Sequence, residues 1–138
     1  REFVLVEGRE RGDGRPAITF TQKDVRQLQL AKGAMRTGID ALLEAGDLAV
    51  EEIDRVIIAG AFGTYIDVAS AMEIGMLPRL PLGRVRQVGN AAGMGAKLAL
   101  VSRSKRAETQ AIARRVAYIE LASLPDFAMA FARSMVLG

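Results

Sequence analysis

The sequence contains no cysteine, no histidine and no tryptophan, and only 5% of its residues are aromatic. Without cysteine this chain cannot form a disulfide, hold an iron–sulfur cluster or bind a metal through thiolates. Without histidine it lacks the commonest metal ligand and the commonest general base, which excludes histidine-based catalysis and most zinc chemistry. This composition is compatible with a reducing compartment, and we expect a cytoplasmic protein.

Long apolar runs are also missing. No segment approaches the roughly 20 residues that span a bilayer, and no signal-peptide pattern opens the chain, so we expect no membrane partner. Half of the 138 residues are hydrophobic, which suffices for a buried core, and we predict a single domain over residues 1–138. The chain begins with arginine, which leads us to expect a fragment of a larger multidomain protein.

A strong excess of one charge is absent too, since the formal net charge is only +3. Most of the positive excess lies in one segment, where a single Glu108 accompanies Arg103, Lys105, Arg106, Arg114 and Arg115. Such a segment could contact RNA, a membrane surface or an acidic partner. It lacks the interleaved aromatic residues on which bases stack, so a solvated helix face is favoured and nucleic acid is not an expected partner.

Predicted strands and helices alternate along the chain, beginning with a β-hairpin over residues 1–20. This order predicts an α/β fold with a largely parallel central portion, here residues 21–138. The predicted strands are 3–6, 17–20, 56–59, 85–88 and 117–121, and the predicted helices are 22–45, 67–74, 91–101, 104–115 and 125–135.

Capping residues set the predicted helix starts. Thr21 and Asp24 form an acidic variant of the capping box before the longest helix, which Gly46 should end. Asn90 and Ser104 are suitable caps for two later helices. Asp67 is expected to cap the helix over residues 67–74; a metal-linked role is its less favoured alternative.

The longest helix has an apolar stripe that predicts a core-facing side, formed by Val25, Leu28, Met35, Ile39 and Leu42. Its other side carries Gln29, Gly33, Arg36, Asp40 and Glu44. Gly33 and Gly38 each cost about 1 kcal/mol relative to alanine inside a helix. Close helix packing explains Gly38, whereas packing and ligand approach both remain open for Gly33.

Two glycine-rich turns are the candidate ligand sites. The first follows an apolar strand and contains Gly60 and Gly63; a glycine here lets a ligand approach the main chain. A tight connection without any ligand is the equal alternative. The second turn spans residues 89–95, and parallel strands should place both turns at one sheet edge. The start of its helix, at Gly89 and Asn90, could also receive phosphate, although packing is favoured.

Neither turn carries a recognised catalytic motif. The second lacks the third glycine of the dinucleotide fingerprint, and no P-loop is present. No pair of carboxylates has a spacing that favours acid–base chemistry. We therefore predict no catalytic residue and no metal ligand, and expect the small residues of the helix over 91–101 to let it pack tightly.

Three segments in this order resemble the C-terminal part of the reductive activators of corrinoid proteins. They are QKDVRQLQLAKGA (22–34), IIAGAFG (57–63) and GNAA (89–92). These activators are ferredoxin-linked ATPases of the acetate kinase, sugar kinase, Hsp70 and actin superfamily. The resemblance spans about residues 18–131. It implies part of an actin-like, ribonuclease H-like ATPase lobe, with a mixed sheet, packed helices and an N-terminal β-hairpin.

The resemblance also implies a function for the parent protein. It would use ATP to drive the reduction of cob(II)alamin to cob(I)alamin in a corrinoid protein, with electrons from an N-terminal [2Fe–2S] domain. The implied partners are that corrinoid protein and a second copy in a homodimer. The alternative is a non-catalytic interaction or dimerisation module built on the same fold.

Site residues carried over by the resemblance fall into three groups. The adenosine motif corresponds to Gly60, Ala61, Phe62, Gly63 and Thr64, although this chain has alanine at 59 where many relatives have glycine. The adenine-facing helix corresponds to Lys32, Gly33 and Arg36, and the last core helix begins at Gly89 and Asn90. Both phosphate motifs of the superfamily are absent, so ATP/Mg²⁺ binding by this chain alone should be weak or absent.

Overall fold

The computed structural model describes residues 2–137, except for the side chain of Phe62. Across that range short strands and helices alternate along the chain. The strands are β1 (Glu2–Val6), β2 (Ile18–Thr21), β3 (Val56–Ile58) and β4 (Val85–Gln87). The helices are α1 (Gln22–Ala45), α2 (Ala61–Tyr65), α3 (Val68–Glu73), α4 (Ala91–Val101), α5 (Arg103–Ala113) and α6 (Phe127–Ser134). No helix within residues 2–137 combines the length and apolarity needed to cross a membrane.

The strands confirm the α/β class and the N-terminal hairpin. β1 pairs antiparallel with β2, with an irregularity between Val4 and Val6, and β3 pairs parallel with β4. Over the described residues these are two separate two-stranded sheets. The strand predicted at 117–121 is wrong. Its segment has no pairing partner there, Tyr118 is 82% exposed, and a 3₁₀ turn begins at Leu121.

The capping box of α1 is confirmed in full. The backbone N–H of Asp24 donates to the Thr21 hydroxyl over 3.3 Å, and that of Thr21 donates to the Asp24 carboxylate over 2.8 Å. Hydrogen bonds from the Thr21 side chain and backbone lower the pKa of Asp24. The helix ends at Ala45, followed by Gly46 as predicted.

The burial of α1 differs from the predicted stripe. Its fully buried residues are Lys32, Gly33 and Thr37, on the side that contacts α6. A Cβ on Gly33 would lie 2.8 Å from Cγ of Met135, so the missing side chain lets the C-terminal segment approach. Of the apolar stripe, Leu42 remains 62% exposed.

The core lies beyond α3, in a segment predicted only as an irregular connection. Met76, Leu77 and Pro78 are buried there, together with Ala71 and Met72 of α3. Hydrophobic residues that pack against this cluster come from several elements, and they include Leu28 and Ile39 of α1, Ile58 of β3 and Val85 of β4. The core therefore joins α1 to the parallel strand pair.

Among the described residues, neither α4 nor α5 contributes a residue to that core cluster or to the hydrophobic residues packed against it. Every residue of α4 except the half-buried Ala99 is exposed, although the helix carries a single charged side chain. The tight packing expected for α4 is thus not observed within residues 2–137: a Cβ on Gly95 would meet open space, and Gly93 makes room for its own cap, Asn90. The accessible surface, 10594 Å², exceeds the roughly 7,000 Å² of a compact monomer of this size.

The start of α5 also corrects a prediction. Ser102, and not Ser104, is its N-cap, since the Ser102 hydroxyl accepts a hydrogen bond from the backbone N–H of Lys105 over 3.3 Å. The basic segment has an exposed face, on which Lys105 and Glu108 form an ion pair. Arg106 instead donates to the backbone oxygens of Ala99 and Leu100, which ties α5 to the end of α4.

Candidate functional site at the strand ends

The two glycine turns meet at the carboxyl ends of β3 and β4. The backbone N–H of Gly60 donates to the carbonyl of Gly89 over 2.5 Å, and that of Val88 donates to the carbonyl of Ile58 over 3.0 Å. Parallel pairing of β3 with β4 is what brings the turns together. Their predicted position at one sheet edge is confirmed.

Gly60 has a backbone that favours glycine and an open side. Its φ of 98° and ψ of 170° belong to a region that L side chains rarely adopt. A Cβ at this position would have no neighbouring atom within 4 Å. The main chain here is therefore accessible to a ligand. Gly89, with φ of 59°, is the second glycine in a left-handed conformation at this edge.

The loop predicted after Gly60 contains a short helix. α2 begins at Ala61, with Gly60 as its N-cap, so the turn itself is tighter than the sequence suggested. Gly63 is buried: a Cβ there would lie 2.5 Å from Cγ2 of Ile58. The absence of a side chain at Gly63 thus lets α2 lie close against β3, while Ala61 and Thr64 are exposed. The side chain of Phe62 lies outside the described part of the chain.

Gln87 is a positioning residue that sequence reasoning missed. From the end of β4 its amide donates to the carbonyl of Gly63, and also to that of Ile66 over 2.8 Å. These two bonds fix α2 relative to β4. The available signal was an amide side chain at the end of a strand, two residues before the glycine of the second turn.

Asn90 and Asp67 act as helix caps beside this edge. The Asn90 side chain accepts a hydrogen bond from the N–H of Gly93 over 2.8 Å, so the start of α4 already satisfies one of its free donors. The Asp67 carboxylate accepts from the N–H of Ser70 over 2.8 Å, as the predicted cap requires. Hydrogen bonding to Ser70 also lowers the pKa of Asp67.

The three predicted residues of α1 have their observed contacts with other parts of the chain. Lys32 is buried and its Nζ donates to the carbonyl of Val136. Burial lowers the pKa of Lys32, and the nearby charge of Arg36 lowers it further. Arg36 pairs with Asp40 over 2.9 Å and lines a cavity of about 380 Å³ beside Gly75.

Gly33 belongs with that group, because the C-terminal segment fills its open side. No hydrogen bond within residues 2–137 links Lys32, Gly33 or Arg36 to the strand-end turns. The structure brings Gly60 and Gly89 together, with Ala61 and Thr64 following Gly60 in α2, and a place for the α1 residues at this site stays a prediction.

This edge offers a ligand accessible main chain and small uncharged side chains. The main chain at Gly60 is open, and the side chains of Ala61 and Thr64 are exposed beside it. Residues 2–137 contain no cluster of acidic residues that could hold a metal ion. A [2Fe–2S] cluster does not fit this chain, which has no cysteine to hold it.

Comparisons with known proteins give one consistent answer. The family described as the C-terminal domain of RACo, the ASKHA domain, matches residues 1–138. The corrinoid activation enzyme RamQ of Eubacterium limosum is 41% identical over 138 residues, which are all of this chain and 23% of that protein. The [Co(II) methylated amine-specific corrinoid protein] reductase of Methanosarcina barkeri is 27% identical over 101 residues, covering 73% of this chain and 18% of the reductase.

A solved structure agrees with these relatives. A reductive activator for corrinoid, iron–sulfur protein superimposes with a TM-score of 0.86 and 39% identity, covering 99% of this chain and 22% of that one. The chain thus spans about a quarter or less of the length of each relative. Both the family match and the identity to RamQ lead to the same assignment. The chain belongs to the C-terminal, ASKHA-domain family of the reductive activators of corrinoid proteins.

Proposed function

We propose that this chain is the nucleoside-binding lobe of a longer protein that uses ATP to reactivate a corrinoid protein. In that protein ATP binding and hydrolysis drive the reduction of cob(II)alamin to cob(I)alamin. The named relatives are a corrinoid activation enzyme, a corrinoid protein reductase and a reductive activator, which supports this role. Each of them is several times longer than this chain, so the activity belongs to the longer protein.

The observation that carries the proposal is the open side of Gly60. Gly60 has a φ of 98°, and no neighbouring atom of the described residues lies within 4 Å of the position that a Cβ would occupy. A nucleoside could therefore contact the backbone at Gly60 directly. Ala61 and Thr64 are exposed next to it, and Gly63 and Gln87 keep the turn in place. Gly89 contributes from β4 through its bond to Gly60.

The phosphates and Mg²⁺ need groups that this chain does not supply. Phosphoryl transfer depends on metal and phosphate positioning, and neither phosphate motif of the superfamily occurs here. The electron source, a [2Fe–2S] domain, also needs cysteines from another part of the protein. The role left to this chain is to bind the nucleoside and to couple nucleotide state to the arrangement of the whole protein.

Amide chemical shifts recorded during a titration with Mg-ATP test nucleoside binding. We expect shifts at residues 60–64 and at Gly89. Gly60→Ala should reduce them and weaken binding about tenfold, since alanine disfavours φ near 98°. Gly83→Ala is the matched control, because a Cβ at Gly83 also meets open space but needs no positive φ. Silence of residues 60–64 at saturating nucleotide, in the complete gene product as well as in the 138-residue chain, would contradict the proposal.

The complete gene product tests the activity itself. We expect ATP-dependent loss of the cob(II)alamin absorbance when it is mixed with its corrinoid protein and a reductant. A complete protein that lacks cysteines spaced for a [2Fe–2S] cluster, and that never accelerates this reduction, would remove the proposed function.

The second candidate is an interaction or dimerisation module, and the exposed apolar surface of α4 favours it. Leu100 and Val101 are 76% and 71% exposed, which is unusual for a helix with so few polar residues. If this candidate is correct, the nucleotide titration is silent while sedimentation of the chain shows a dimer. A monomer with shifts at residues 60–64 would exclude it.

A further inference from the structure

Gln87 makes two hydrogen bonds from the end of β4, and they use both N–H donors of its side-chain amide. The acceptors are the backbone carbonyl of Gly63 and, over 2.8 Å, that of Ile66. Because a carbonyl oxygen can only accept, the side chain must present its NH2 group to these atoms and not its own oxygen. The chemistry of residue 87 therefore matters, since an ionised carboxylate or an apolar side chain supplies no donor.

The two carbonyls lie at the end of α2. The last four carbonyls of a helix have no partner inside that helix, and α2 is only five residues long. Gly63 is one of these positions, and Ile66 follows directly after the helix. Gln87 thus acts on α2 as a C-terminal cap that a neighbouring strand supplies.

The beginning of the same segment is held by Gly89, two residues beyond Gln87. The carbonyl of Gly89 accepts the backbone N–H of Gly60, the N-cap of α2, over 2.5 Å. The segment from Gly60 to Ile66 is therefore attached at both of its ends to the end of β4. This is the segment that carries the open main chain of Gly60 and the exposed side chain of Thr64.

We propose that Gln87 positions the nucleoside turn for its ligand, so that the nucleotide affinity of the longer protein depends on the two donors of this amide. The inference rests on the nucleoside site proposed above. A ligand that binds a preformed turn does not have to order it, so a cap that keeps α2 in place favours binding. Gln87 is itself exposed, and its replacement should loosen α2 without unfolding the core.

Calorimetric titration of the complete gene product with Mg-ATP measures this role. Gln87→Met keeps a side chain of similar length and removes both donors. It should raise the dissociation constant of Mg-ATP about fivefold, which corresponds to the net contribution of about one hydrogen bond. An unchanged dissociation constant would overturn the proposal.

Gln87→Glu adds a readout that depends on pH. An ionised carboxylate only accepts and would face two carbonyl oxygens, whereas a protonated carboxyl has one donor. The ratio of the variant's dissociation constant to that of the parent protein should therefore be larger at about pH 8 than at about pH 5. Comparison with the parent at each pH removes the effect of the nucleotide's own titration. A ratio that is the same at both pH values would overturn the role of the donors.

Arg84 offers a matched control, because it makes the same kind of double contact at the other end of β4. Its Nη1 donates to the backbone carbonyls of Glu51 and Ile53, each over 2.9 Å. Arg84→Met should lower the melting temperature at least as much as Gln87→Met and leave the affinity for Mg-ATP unchanged. If Arg84→Met weakens binding as much as Gln87→Met does, affinity follows general stability and the proposal is overturned.

Gly60→Ala separates this proposal from the one on which it rests. It should weaken Mg-ATP binding about tenfold, since alanine disfavours φ near 98°. If Gly60→Ala binds Mg-ATP as tightly as the parent protein, the nucleoside site is wrong, and the positioning role of Gln87 is wrong with it. If Gly60→Ala weakens binding and Gln87→Met does not, only the role of Gln87 is wrong.

Discussion

Helices α1 and α4 begin and end at the residues that the sequence predicted, yet their surroundings are opposite. α1 carries charges along its length and still buries Lys32, Gly33 and Thr37. α4 carries only Lys97 as a charged residue, and it lies almost wholly exposed. Both start with a side chain that caps a backbone N–H three residues later. The residues at which these helices begin and end were therefore set by neighbours in sequence. The burial of each helix was set by contacts with residues distant in sequence.

The difference shows what decides burial in this chain. α1 has α6 on one side and the core cluster on the other, and Gly33 leaves room for Phe131 of α6 and for Met135. α4 has α5 as its main neighbour within residues 2–137. A helix that is apolar all round is normally buried, so we expect another part of the longer protein to cover α4.

Truncation of one aliphatic residue in each helix should produce the largest contrast. Ile39 packs against the core cluster, so Ile39→Ala should lower the free energy of unfolding by about 2 kcal/mol. Leu100 is 76% exposed, and Leu100→Ala should change it by less than about 0.5 kcal/mol. Urea denaturation of the 138-residue chain measures both values.

Repeating the pair in the complete gene product sharpens the comparison. If another segment covers α4 there, Leu100→Ala becomes as costly as Ile39→Ala. Equal costs already in the 138-residue chain would show that Leu100 is buried in that chain.

Local signals also explain where prediction from the sequence succeeded. The capping box at Thr21, the cap at Asn90 and the glycine turns depend on neighbours in sequence, and all lie where they were predicted. The convergence of Gly60 with Gly89 needed one further assumption, that β3 and β4 pair in parallel, and this was correct.

Prediction failed where a partner distant in sequence decides the outcome. The segment 117–121 alternates apolar and polar residues as a strand does, but without a partner it stays irregular. The choice between packing and ligand approach at Gly33 depended on Met135, about a hundred positions away. The core at Met76–Pro78 was missed because two prolines marked its surroundings as a connection, and no periodicity can reveal an irregular core segment.

The glycines of the two helices offer a smaller but cleaner contrast. A Cβ at Gly95 of α4 meets open space, so Gly95→Ala should raise the free energy of unfolding by about 1 kcal/mol, the propensity difference between the residues. At Gly33 of α1 the same gain is offset, because the new Cβ would lie 2.8 Å from Met135 and the side chain must move. Gly33→Ala should thus be near neutral. A gain of equal size at both positions would show that α6 does not press on α1.

Because Lys32 of α1 is buried, it should make the free energy of unfolding depend on pH. We expect no such contribution from α4. Burial, aided by the charge of Arg36, lowers the folded-state pKa of Lys32 below its usual value of 10.5. Between the two pKa values the unfolded chain binds more protons than the folded one, so stability contributed by this residue rises as pH increases through that window. Below the window the buried ammonium costs folding free energy.

Lys32→Met should therefore remove part of the alkaline rise in stability, because methionine fills a similar volume and does not titrate. Urea midpoints between neutral pH and about pH 10.5 would show it as a smaller slope than in the parent chain. Lys97→Met removes the one lysine of exposed α4 and should leave the parent slope in place. If both variants keep that slope, Lys32 is charged and solvated, and the closure of α6 over this side of α1 does not hold in solution.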